Sequence, residues 1–207
     1  MARKVAHREH YLKAESLLAQ TKRLLHRFDL RVRKGLGQYF LTDRKVLELV
    51  TSAAELTPTD VVMEIGPGLG ILTKEVACQA GWVIAIELDN KLAALLKQTL
   101  ASFDNVTIIN ENILGITPAA LLREQKVKFP PSINNPFSYK VVANLPYYIT
   151  APVLRHFLEA SVKPQIMVVM VQKEVAEAIV AEPGQMSVLS ISVQFYGKPR
   201  IISYVPA

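Results

Sequence analysis

The chain has 207 residues, of which half are hydrophobic and a fifth are charged, so disordered and collagen-like proteins are excluded. It is long enough to bury a core without disulfides, and its single cysteine, Cys78, cannot form an internal bridge. The net charge of +6 is uneven, because residues 1–40 hold ten basic and three acidic residues while residues 41–207 hold fourteen and fifteen. The excess of positive charge near the N-terminus is compatible with binding to a phosphate backbone and equally with a solvated helix face. Charge alone therefore does not decide whether the chain binds nucleic acid.

The N-terminal quarter predicts two helices and a turn. Leucines at helical spacing, with basic residues among them, predict an amphipathic basic helix from Glu9 to Phe28. Gly35 and Gly37 lie among positive charges and predict an external turn. A second helix is expected to begin near Thr42 or Asp43, either of which can cap it. Three of its residues are expected to face inward: Val46, Leu47 and Val50.

From residue 60 onward, short apolar runs alternate with helical segments. This alternation predicts an α/β fold with a doubly wound, mostly parallel sheet. The predicted strands are Val61–Ile65, Trp82–Glu87, Val106–Asn110, Lys140–Asn144 and Ile166–Gln172. The predicted helices are Leu69–Gln79, Asn90–Ala101, Pro118–Glu124, Ala151–Ala160 and Lys173–Ala181.

Two further segments complete the predicted architecture. Proline and asparagine residues make 129–137 an exposed loop rather than a helix or a central strand. The segment Val193–Val205 reads as two short strands interrupted at Gly197 and Pro199. The opening residues carry mixed charges, and the longest purely apolar run, Ile166–Val171, is too short to cross a bilayer. With one cysteine, this predicts a cytoplasmic protein that is neither secreted nor membrane-bound.

The first predicted strand ends in Glu64-Ile-Gly-Pro-Gly-Leu-Gly70, and a helix follows. Three glycines at alternate positions let the backbone turn sharply and approach a ligand over the carboxyl end of the strand. Any tight strand-to-helix connection also favours glycine, so the motif alone is weak. Between a buried strand and a helix, it favours a nucleotide-like cofactor.

The second strand ends in Ile86-Glu-Leu-Asp89, about twenty residues beyond the glycines, where a carboxylate can accept both hydroxyl protons of a ribose. We assign that role to Glu87 and helix capping to Asp89. Together with the glycines, this predicts an adenosine-containing cofactor, either NAD or S-adenosylmethionine. The spacing G-x-G-x-G is shorter than the dinucleotide fingerprint, and Pro67 offers no N–H to a pyrophosphate, so NAD is disfavoured.

The fourth strand ends in Asn144-Leu-Pro-Tyr-Tyr-Ile149. The amide oxygen of Asn144 and a carbonyl held in place by the proline can accept the two hydrogens of an exocyclic amine. Tyr147 offers a flat face for a purine. Asparagine and proline are also ordinary turn residues, so the motif gains weight only beside the glycines and Glu87. The set suits in-line methyl transfer to a base amine, which depends on alignment more than on a strong base.

These motifs make the sequence resemble the ribosomal RNA adenine N6,N6-dimethyltransferase family, in its small-subunit branch, from about Leu30 to the last residue. Five motifs in order carry the resemblance: Gly35-Leu-Gly-Gln-Tyr-Phe-Leu41, Glu64-Ile-Gly-Pro-Gly-Leu-Gly70, Ile86-Glu-Leu-Asp89, Asn144-Leu-Pro-Tyr147 and Val171-Gln-Lys-Glu-Val175. It implies a Rossmann-like fold and dimethylation, from S-adenosyl-L-methionine, of two adjacent adenosines near the 3′ end of 16S small-subunit rRNA. It also implies a role in small-subunit biogenesis on the pre-30S particle, without membrane or metal. We expect a monomer.

The resemblance also implies site residues. The target adenine would be held by Asn144, the backbone of Leu145 and Pro146, and the ring of Tyr147. Two cofactor positions depart from the family pattern: Tyr39 is bulkier than the usual Asn or His, and Asn112 replaces the usual Asp. An asparagine still accepts through its amide oxygen, so weaker cofactor binding is expected. The implied cofactor contacts are Tyr39, Leu41, Gly66, Glu87, Asn112 and Asn144.

Family members continue past the equivalent of Tyr204-Val-Pro-Ala207 into a Phe-x-Pro-x-Pro segment, a last strand and a small helical domain. The resemblance therefore divides this chain into a basic N-terminal helix and arm, 1–34, and a methyltransferase domain, 35–207, without its last strand and the C-terminal helical domain. Because the Phe would form half of the base pocket, the 207-residue chain is expected to bind cofactor and to methylate RNA poorly.

Three alternatives remain open. An NAD-dependent oxidoreductase is disfavoured by the glycine spacing and by the lack of an acid catalyst near Asn144. A large-subunit rRNA adenine methyltransferase of the macrolide-resistance type keeps the chemistry, but that branch more often has Ile where this chain has Leu145. A non-catalytic RNA-binding assembly factor would keep the fold without turnover. The four histidines are scattered, and Cys78 is expected to be a helix core residue.

Overall fold

The structure, a computed structural model, describes residues 16–28, 41 and 43–205. Several predictions lie outside these residues: the first part of the basic helix, the turn at Gly35 and Gly37, Thr42 as a cap, and the domain boundary after residue 34. The described helices are α1 Leu17–Arg27, α2 Arg44–Ala53, α3 Ile71–Gln79, α4 Asn90–Thr99, α5 Pro118–Gln125, α6 Tyr147–Leu158, α7 Lys173–Ile179 and α8 Val188–Tyr196. The strands are β1 Val61–Ile65, β2 Trp82–Ile86, β3 Val106–Ile109, β4 Tyr139–Asn144 and β5 Met167–Met170.

The five strands form one parallel sheet in the order β3-β2-β1-β4-β5. Strand β1 lies at the centre, and the chain moves outward first to one side and then to the other. This order confirms the predicted doubly wound α/β architecture, and all five predicted strands are present with ends within two residues of the prediction. The change of direction beside β1 opens a crevice at the carboxyl edge, where such sheets bind ligands.

Side chains alternate between the two faces of the sheet, and each face has its own apolar core. On one face, Val62, Val83 and Val142 pack with α1, α2, α3 and α4. On the other face, Met63 and Ile84 pack with α5 and α6. Because both faces are covered, the central strands are apolar along almost their whole length, as the sequence predicted.

Side-chain caps fix several helix starts, and two of them were predicted. Asp43 Oδ1 accepts the Lys45 N–H at 2.8 Å at the start of α2, and Val46 and Leu47 are buried below it. Asp89 Oδ1 accepts the N–H groups of Lys91 at 2.8 Å and Leu92 at 3.2 Å at the start of α4. A carboxylate at this position satisfies helix N–H groups that have no intrahelical partner.

The prediction for the end of the chain was wrong. Residues Val188–Tyr196 form helix α8, and residues 197–205 form no strand. Ser187 Oγ accepts the Ser190 N–H at 3.2 Å, and Ser190 Oγ accepts the Ser187 N–H, so the two serines form a capping box. Val193 is buried among residues of α6 and α7. The β-branched and aromatic composition favoured a strand, but the cap and the tertiary packing outweigh that local preference.

Two other predicted segments need smaller corrections. The segment 129–137 has neither helix nor strand, as predicted, but it is not wholly exposed, because Ile133 is buried in the core beside α5 and α6. Helix α6 begins at Tyr147 rather than at Ala151, since Pro146 occupies its N-cap position. Proline is well tolerated there because it has no N–H to satisfy.

A buried lysine connects the sheet to the loop before β1. Lys140 on β4 is only 6% exposed. Its Nζ donates to the Glu55 carbonyl at 2.6 Å and to Asp60 Oδ2 at 3.0 Å. Glu55 adopts a positive φ of 49°, which is uncommon outside glycine. The ammonium therefore holds a turn of unusual conformation against the amino edge of the sheet.

Within residues 16–28, 41 and 43–205, no helix is long and apolar enough to cross a membrane. The same part of the chain contains no cluster of three His, Cys, Asp or Glu side chains that could hold a metal ion.

Candidate functional site

The carboxyl edge of the sheet brings together residues at the ends of three neighbouring strands. Ile65, the last residue of β1, pairs with Ile86 on β2 and with Ala143 on β4. The next position along each strand therefore lies at the same height in the crevice. This register juxtaposes three residues predicted from the sequence: Gly66, Glu87 and Asn144.

The glycine loop follows β1 directly and depends on left-handed backbone conformations. Gly66, Gly68 and Gly70 have φ values of +66°, +57° and +75°, which residues other than glycine rarely adopt. A Cβ placed on Gly66 would meet no atom within 4 Å, so its missing side chain leaves open space over the strand end. A Cβ on Gly70 would lie 2.7 Å from Leu96 Cδ2. The first glycine leaves room for a ligand, and the third allows close helix packing.

The Glu87 carboxylate is buried and oriented by the backbone. Its Oε2 accepts the Gly68 N–H at 3.1 Å, and its Oε1 accepts the Asp89 N–H at 2.9 Å. Burial raises the pKa of Glu87, while the two backbone N–H groups oppose that rise. Each oxygen keeps a second lone pair, so the group can still accept hydroxyl protons. The sequence predicted this acid but not its contact with the glycine loop.

Asn110 is a positioning residue that the sequence analysis missed. Its Nδ2 donates to the carbonyls of Glu87 at 2.9 Å and Leu88 at 3.3 Å, which ties the end of β3 to the loop after β2. A polar residue at the end of an otherwise apolar strand was the available signal. The side chain fixes the backbone from which the Glu87 carboxylate projects.

Glu64, the first residue of the glycine motif, is a second group to which the sequence analysis gave no role. It is 2% exposed, and its Oε2 has no hydrogen-bond partner among the described residues. Burial raises the pKa of Glu64 to about 8, the Thr73 hydroxyl lowers it, and the nearby Glu87 raises it further. The carboxyl group is therefore mostly protonated at neutral pH beneath the glycine loop.

Asn144 ends β4, and the motif after it turns directly into α6. The Leu145 N–H continues the ladder by donating to the Met170 carbonyl at 3.0 Å, and the Leu145 side chain is buried. The Pro146 carbonyl accepts the Ile149 N–H at 3.2 Å and so belongs to the first helical turn. The side chain of Tyr147 lies outside what the structure describes, so its predicted stacking role stays a prediction.

The remaining predicted site residues divide into three cases. Asn112 is exposed after β3, and its Oδ1 accepts the Leu114 N–H at 3.1 Å. Leu41 is half-buried and packs against the core beneath α2, α3 and α4. Tyr39 lies outside the described residues.

The arrangement fits the adenosine-containing cofactor that the sequence predicts. The open space at Gly66 admits a ligand close to the backbone, and the oriented Glu87 carboxylate can accept two hydroxyl protons. Asn112 lies after β3, the strand beside β2, within reach of the base of a cofactor whose ribose is bound at Glu87. Asn144 lies on the other side of β1, at the same edge of the sheet. The site thus has room for a cofactor on one side of β1 and polar acceptors for a second group on the other.

Comparisons with known proteins agree with this reading. The family model for ribosomal RNA adenine dimethylase matches residues 29–207. The ribosomal RNA small subunit methyltransferase A of Dehalococcoides mccartyi (strain ATCC BAA-2266 / KCTC 15142 / 195) is 51% identical over 191 residues, which are 92% of this chain and 62% of that protein. The protein of the same name from Lactiplantibacillus plantarum is 42% identical over 190 residues, 91% of this chain and 62% of its own length. The chain thus spans about 62% of the length of these curated relatives.

Solved structures give the same picture. The crystal structure of the 23S rRNA methyltransferase ErmE is 31% identical, with a TM-score of 0.60, and the match covers 74% of this chain and 56% of that one. A dimethyladenosine transferase from Plasmodium falciparum is 25% identical, with a TM-score of 0.61, over 75% of this chain and 52% of that one. Both have the fold described above.

Proposed function

Since the chain belongs to the ribosomal RNA adenine dimethylase family, we propose that it transfers methyl groups from S-adenosyl-L-methionine to N6 of two adjacent adenosines near the 3′ end of small-subunit rRNA. The observation that supports this most directly is the juxtaposition of the glycine loop, Glu87 and Asn144 at one edge of the sheet. The names of the curated relatives favour the small subunit as the source of the target.

On the cofactor side of β1, three residues carry the proposal. Gly66 leaves room for the ligand beside the backbone, and Glu87 accepts the ribose hydroxyls. Asn112 accepts from the adenine amine through its amide oxygen. We also propose contacts from Tyr39 and Leu41, which rest on the resemblance alone. When bound, S-adenosylmethionine supplies a methyl group on a sulfonium, which is already a good leaving group.

On the target side, Asn144 and the backbone after it hold the base. Asn144 Oδ1 and the Leu145 carbonyl accept the two N6 hydrogens, so the nitrogen lone pair is directed away from both. Of the two predicted backbone acceptors, we favour Leu145, because the Pro146 carbonyl already accepts from Ile149 and from the Thr150 hydroxyl at 3.1 Å. The Tyr147 ring is assigned to stack on the purine. These groups align the amine, and its proton is lost after the N–C bond forms.

The finer parts of this proposal concern partners and domain organisation. We assign residues 35–207 to the methyltransferase domain and residues 1–34 to a basic helix and arm. The RNA partner would be small-subunit rRNA in a pre-30S particle, and the chain would act as a monomer in the cytoplasm. The uneven charge of the sequence, with its excess in residues 1–40, agrees with an RNA partner.

The proposal is tested first by binding and then by transfer. Calorimetry should detect binding of S-adenosylmethionine to the 207-residue chain and none of NAD. Tritiated methyl transfer is then measured with enzyme in excess over small-subunit particles, so that one slow turnover is sufficient, and the labelled nucleosides are identified. We expect label in N6-methylated adenosines near the 3′ end of the small-subunit RNA. The Asn144→Ala variant should keep most of its fold and lose transfer.

Each other outcome would select a different function. Label confined to naked large-subunit rRNA would indicate the macrolide-resistance type of activity. Cofactor binding without label in either RNA would favour a non-catalytic assembly factor. NAD binding in place of S-adenosylmethionine, or unchanged transfer by Asn144→Ala, would overturn the proposed chemistry.

A further inference from the structure

His156 is a polar side chain on the face of α6 that packs against the core. Val153 and Phe157 are fully buried on that face, and His156, three residues after the first and one before the second, is half-buried. A polar group in such a place costs free energy unless it forms a hydrogen bond. The partner of the imidazole therefore indicates what this residue does.

The partner is a backbone carbonyl in the segment that follows β3. Nε2 of His156 lies 3.0 Å from the carbonyl oxygen of Ile116, a contact across 40 residues. Because a carbonyl oxygen only accepts, Nε2 carries a proton and donates it. The imidazole also packs edge-on against the Phe157 ring, with centroids 5.3 Å apart and an interplanar angle of 86°. The histidine thus links α6 to the segment between β3 and α5.

Helix α5 begins just after this carbonyl and forms its first bonds one residue later. The N–H groups of Ala120 and Leu121 donate to the carbonyl of Thr117, the N-cap residue, at 3.0 and 3.1 Å. The helix therefore does not fix the Ile116 carbonyl through its own ladder, and the hydrogen bond from His156 supplies that restraint.

The restrained carbonyl ends the turn that begins at Asn112. Asn112 accepts the Leu114 N–H through its side chain at 3.1 Å and the Gly115 N–H through its carbonyl at 2.9 Å. The Ile113 carbonyl accepts the Ile116 N–H at 3.2 Å. Because successive hydrogen bonds connect these five residues, a restraint on Ile116 also restrains the position of Asn112.

This turn has few other attachments to the core. Asn112, Leu114 and Gly115 are exposed, while Ile113 and Ile116 pack with residues of α5 and α6. Exposed segments with few buried contacts open locally at a low cost in free energy. A hydrogen bond from a helix to the end of such a turn is therefore well placed to decide where the Asn112 amide lies.

We propose that His156 is a positioning residue for the base of the cofactor. By donating to the Ile116 carbonyl, it holds the turn where Asn112 Oδ1 can accept from the adenine amine. This inference rests on the proposed function, because it assumes that Asn112 contacts adenine, and it adds a residue outside the motifs assigned to the cofactor.

The helix that carries His156 also begins at the motif assigned to the target base. Tyr147 is its first residue, nine positions before His156, which corresponds to about 14 Å along the axis. The adenine turn and the target motif are thus attached to one helix. His156 acts on the cofactor through the turn, without contact with the target base.

The test compares three variants of the 207-residue chain. His156→Leu removes the donor and keeps a large side chain on the half-buried face. His156→Gln keeps a donor in its side-chain amide. Arg155→Gln is the control on the same helix, because Arg155 is exposed and its ion pair with Glu159, at 2.9 Å, lies on the surface. Circular dichroism and urea denaturation establish that each variant is folded.

Calorimetry measures the affinity of each variant for two ligands, S-adenosylmethionine and its analogue whose base is purine without the 6-amino group. The wild-type chain should prefer the ligand with the amine. His156→Leu should bind S-adenosylmethionine about fivefold more weakly and the analogue within about twofold of wild type, because the interaction it loses is the one with the amine. His156→Gln should recover most of the preference, and Arg155→Gln should retain all of it.

The ligand pair distinguishes positioning from a merely structural role. A loss of the same size for both ligands in His156→Leu would indicate general damage to the site and would overturn the inference. Unchanged affinities in His156→Leu would overturn it too, as would a glutamine variant with no more preference for the amine than the leucine variant.

The failure of this inference can be separated from the failure of the proposed function. Methyl transfer by the wild-type chain, together with equal losses for both ligands in His156→Leu, would refute the role of His156 alone. A selective loss without transfer by the wild-type chain would leave that role standing and refute the methylation proposal. A wild-type chain with no preference for the amine would refute the Asn112 contact and the role of His156 with it.

Discussion

The Glu87 carboxylate accepts the N–H of Gly68 at 3.1 Å, which joins the acid after β2 to the glycine loop after β1 across 19 residues. Its other oxygen accepts the Asp89 N–H. Both oxygens are thus held by backbone donors, and each keeps a lone pair that can accept a further hydrogen bond. The acid and the glycine loop act as one unit, and a change in either is expected to disturb the other.

Glu87→Gln should weaken S-adenosylmethionine binding about tenfold or more, because hydrogen bonds to a charged acceptor contribute ~1.5–3 kcal/mol. The new amide must also turn its NH₂ toward either Gly68 or Asp89, both of which present N–H groups. Calorimetry measures the affinity, and Glu124→Gln, an exposed change on α5, is the control. Burial raises the pKa of Glu87, so the carboxylate becomes protonated earlier when the pH is lowered. The cofactor affinity of the wild-type chain should therefore begin to fall at a higher pH than it would with an ordinary glutamate. Wild-type affinity in Glu87→Gln would contradict this role.

Gly66→Ala and Gly70→Ala should distinguish two roles of the glycine loop, which are to leave room for a ligand and to allow close helix packing. Both replace a glycine of positive φ, at a cost of roughly 1–2 kcal/mol. Only Gly70→Ala also places a methyl group 2.7 Å from the buried Leu96, so its free energy of unfolding should be the lower of the two. Gly66→Ala should lose more cofactor affinity, because its methyl group enters the open crevice. Urea denaturation and calorimetry measure the two effects, and the reverse order would refute the assignment.

Glu64→Gln should change how stability depends on pH. Burial raises the folded-state pKa of Glu64 from 4.5 to about 8, so between these values the folded chain binds more protons than the unfolded chain. The free energy of unfolding should therefore fall as pH rises from about 5 to 8, by up to a few kcal/mol. Glu64→Gln cannot ionise and should flatten this slope and be the more stable form at pH 8. Urea denaturation at several pH values tests this, and identical slopes would show that Glu64 does not titrate in this range.

Asn112→Asp should strengthen cofactor binding. Asn112 Oδ1 already accepts the Leu114 N–H, and the other end of the amide can only donate. An aspartate could keep that cap with one oxygen and accept from an adenine amine with the other. We expect a gain of about 1 kcal/mol, or about fivefold in affinity. Calorimetry with S-adenosylmethionine measures it, and Asn134→Asp, an exposed change in the segment 129–137, is the control. Equal or weaker binding would argue against adenine contacting residue 112.

The parts of the fold that the sequence predicted well are those in which local and tertiary preferences agree. The strand at Val61–Ile65 is buried on both faces, so its apolar composition was sufficient to predict it. The prediction for the segment that forms helix α8 was wrong because its local preference and its tertiary packing disagree. Its interior is β-branched and aromatic, and its start depends on a pair of serines whose reciprocal hydrogen bonds are not evident from composition. Contacts of Val193 with α6 and α7 then determine the conformation.

The candidate site divides in the same way. Gly66, Glu87 and Asn144 could be assigned because each lies at the end of a recognisable strand or directly after it, and parallel strands end at one edge. Asn110 and Glu64 could not, because the importance of Asn110 lies in a contact across 23 residues and that of Glu64 in burial without a hydrogen-bond partner for Oε2 among the described residues. Periodicity identifies the strand ends, but it does not reveal which side chains lie against each other.

The backbone ladder continues one residue past the strands at the crevice. Gly66 donates to Ile86, and Glu87 donates to Ile109. Leu145 likewise donates to Met170. The conformational entropy of these residues is lost when the chain folds and not when a ligand arrives. The backbone beneath the crevice is therefore preorganised. A ligand that binds there loses little free energy to ordering of the protein, so its affinity reflects the contacts that it gains.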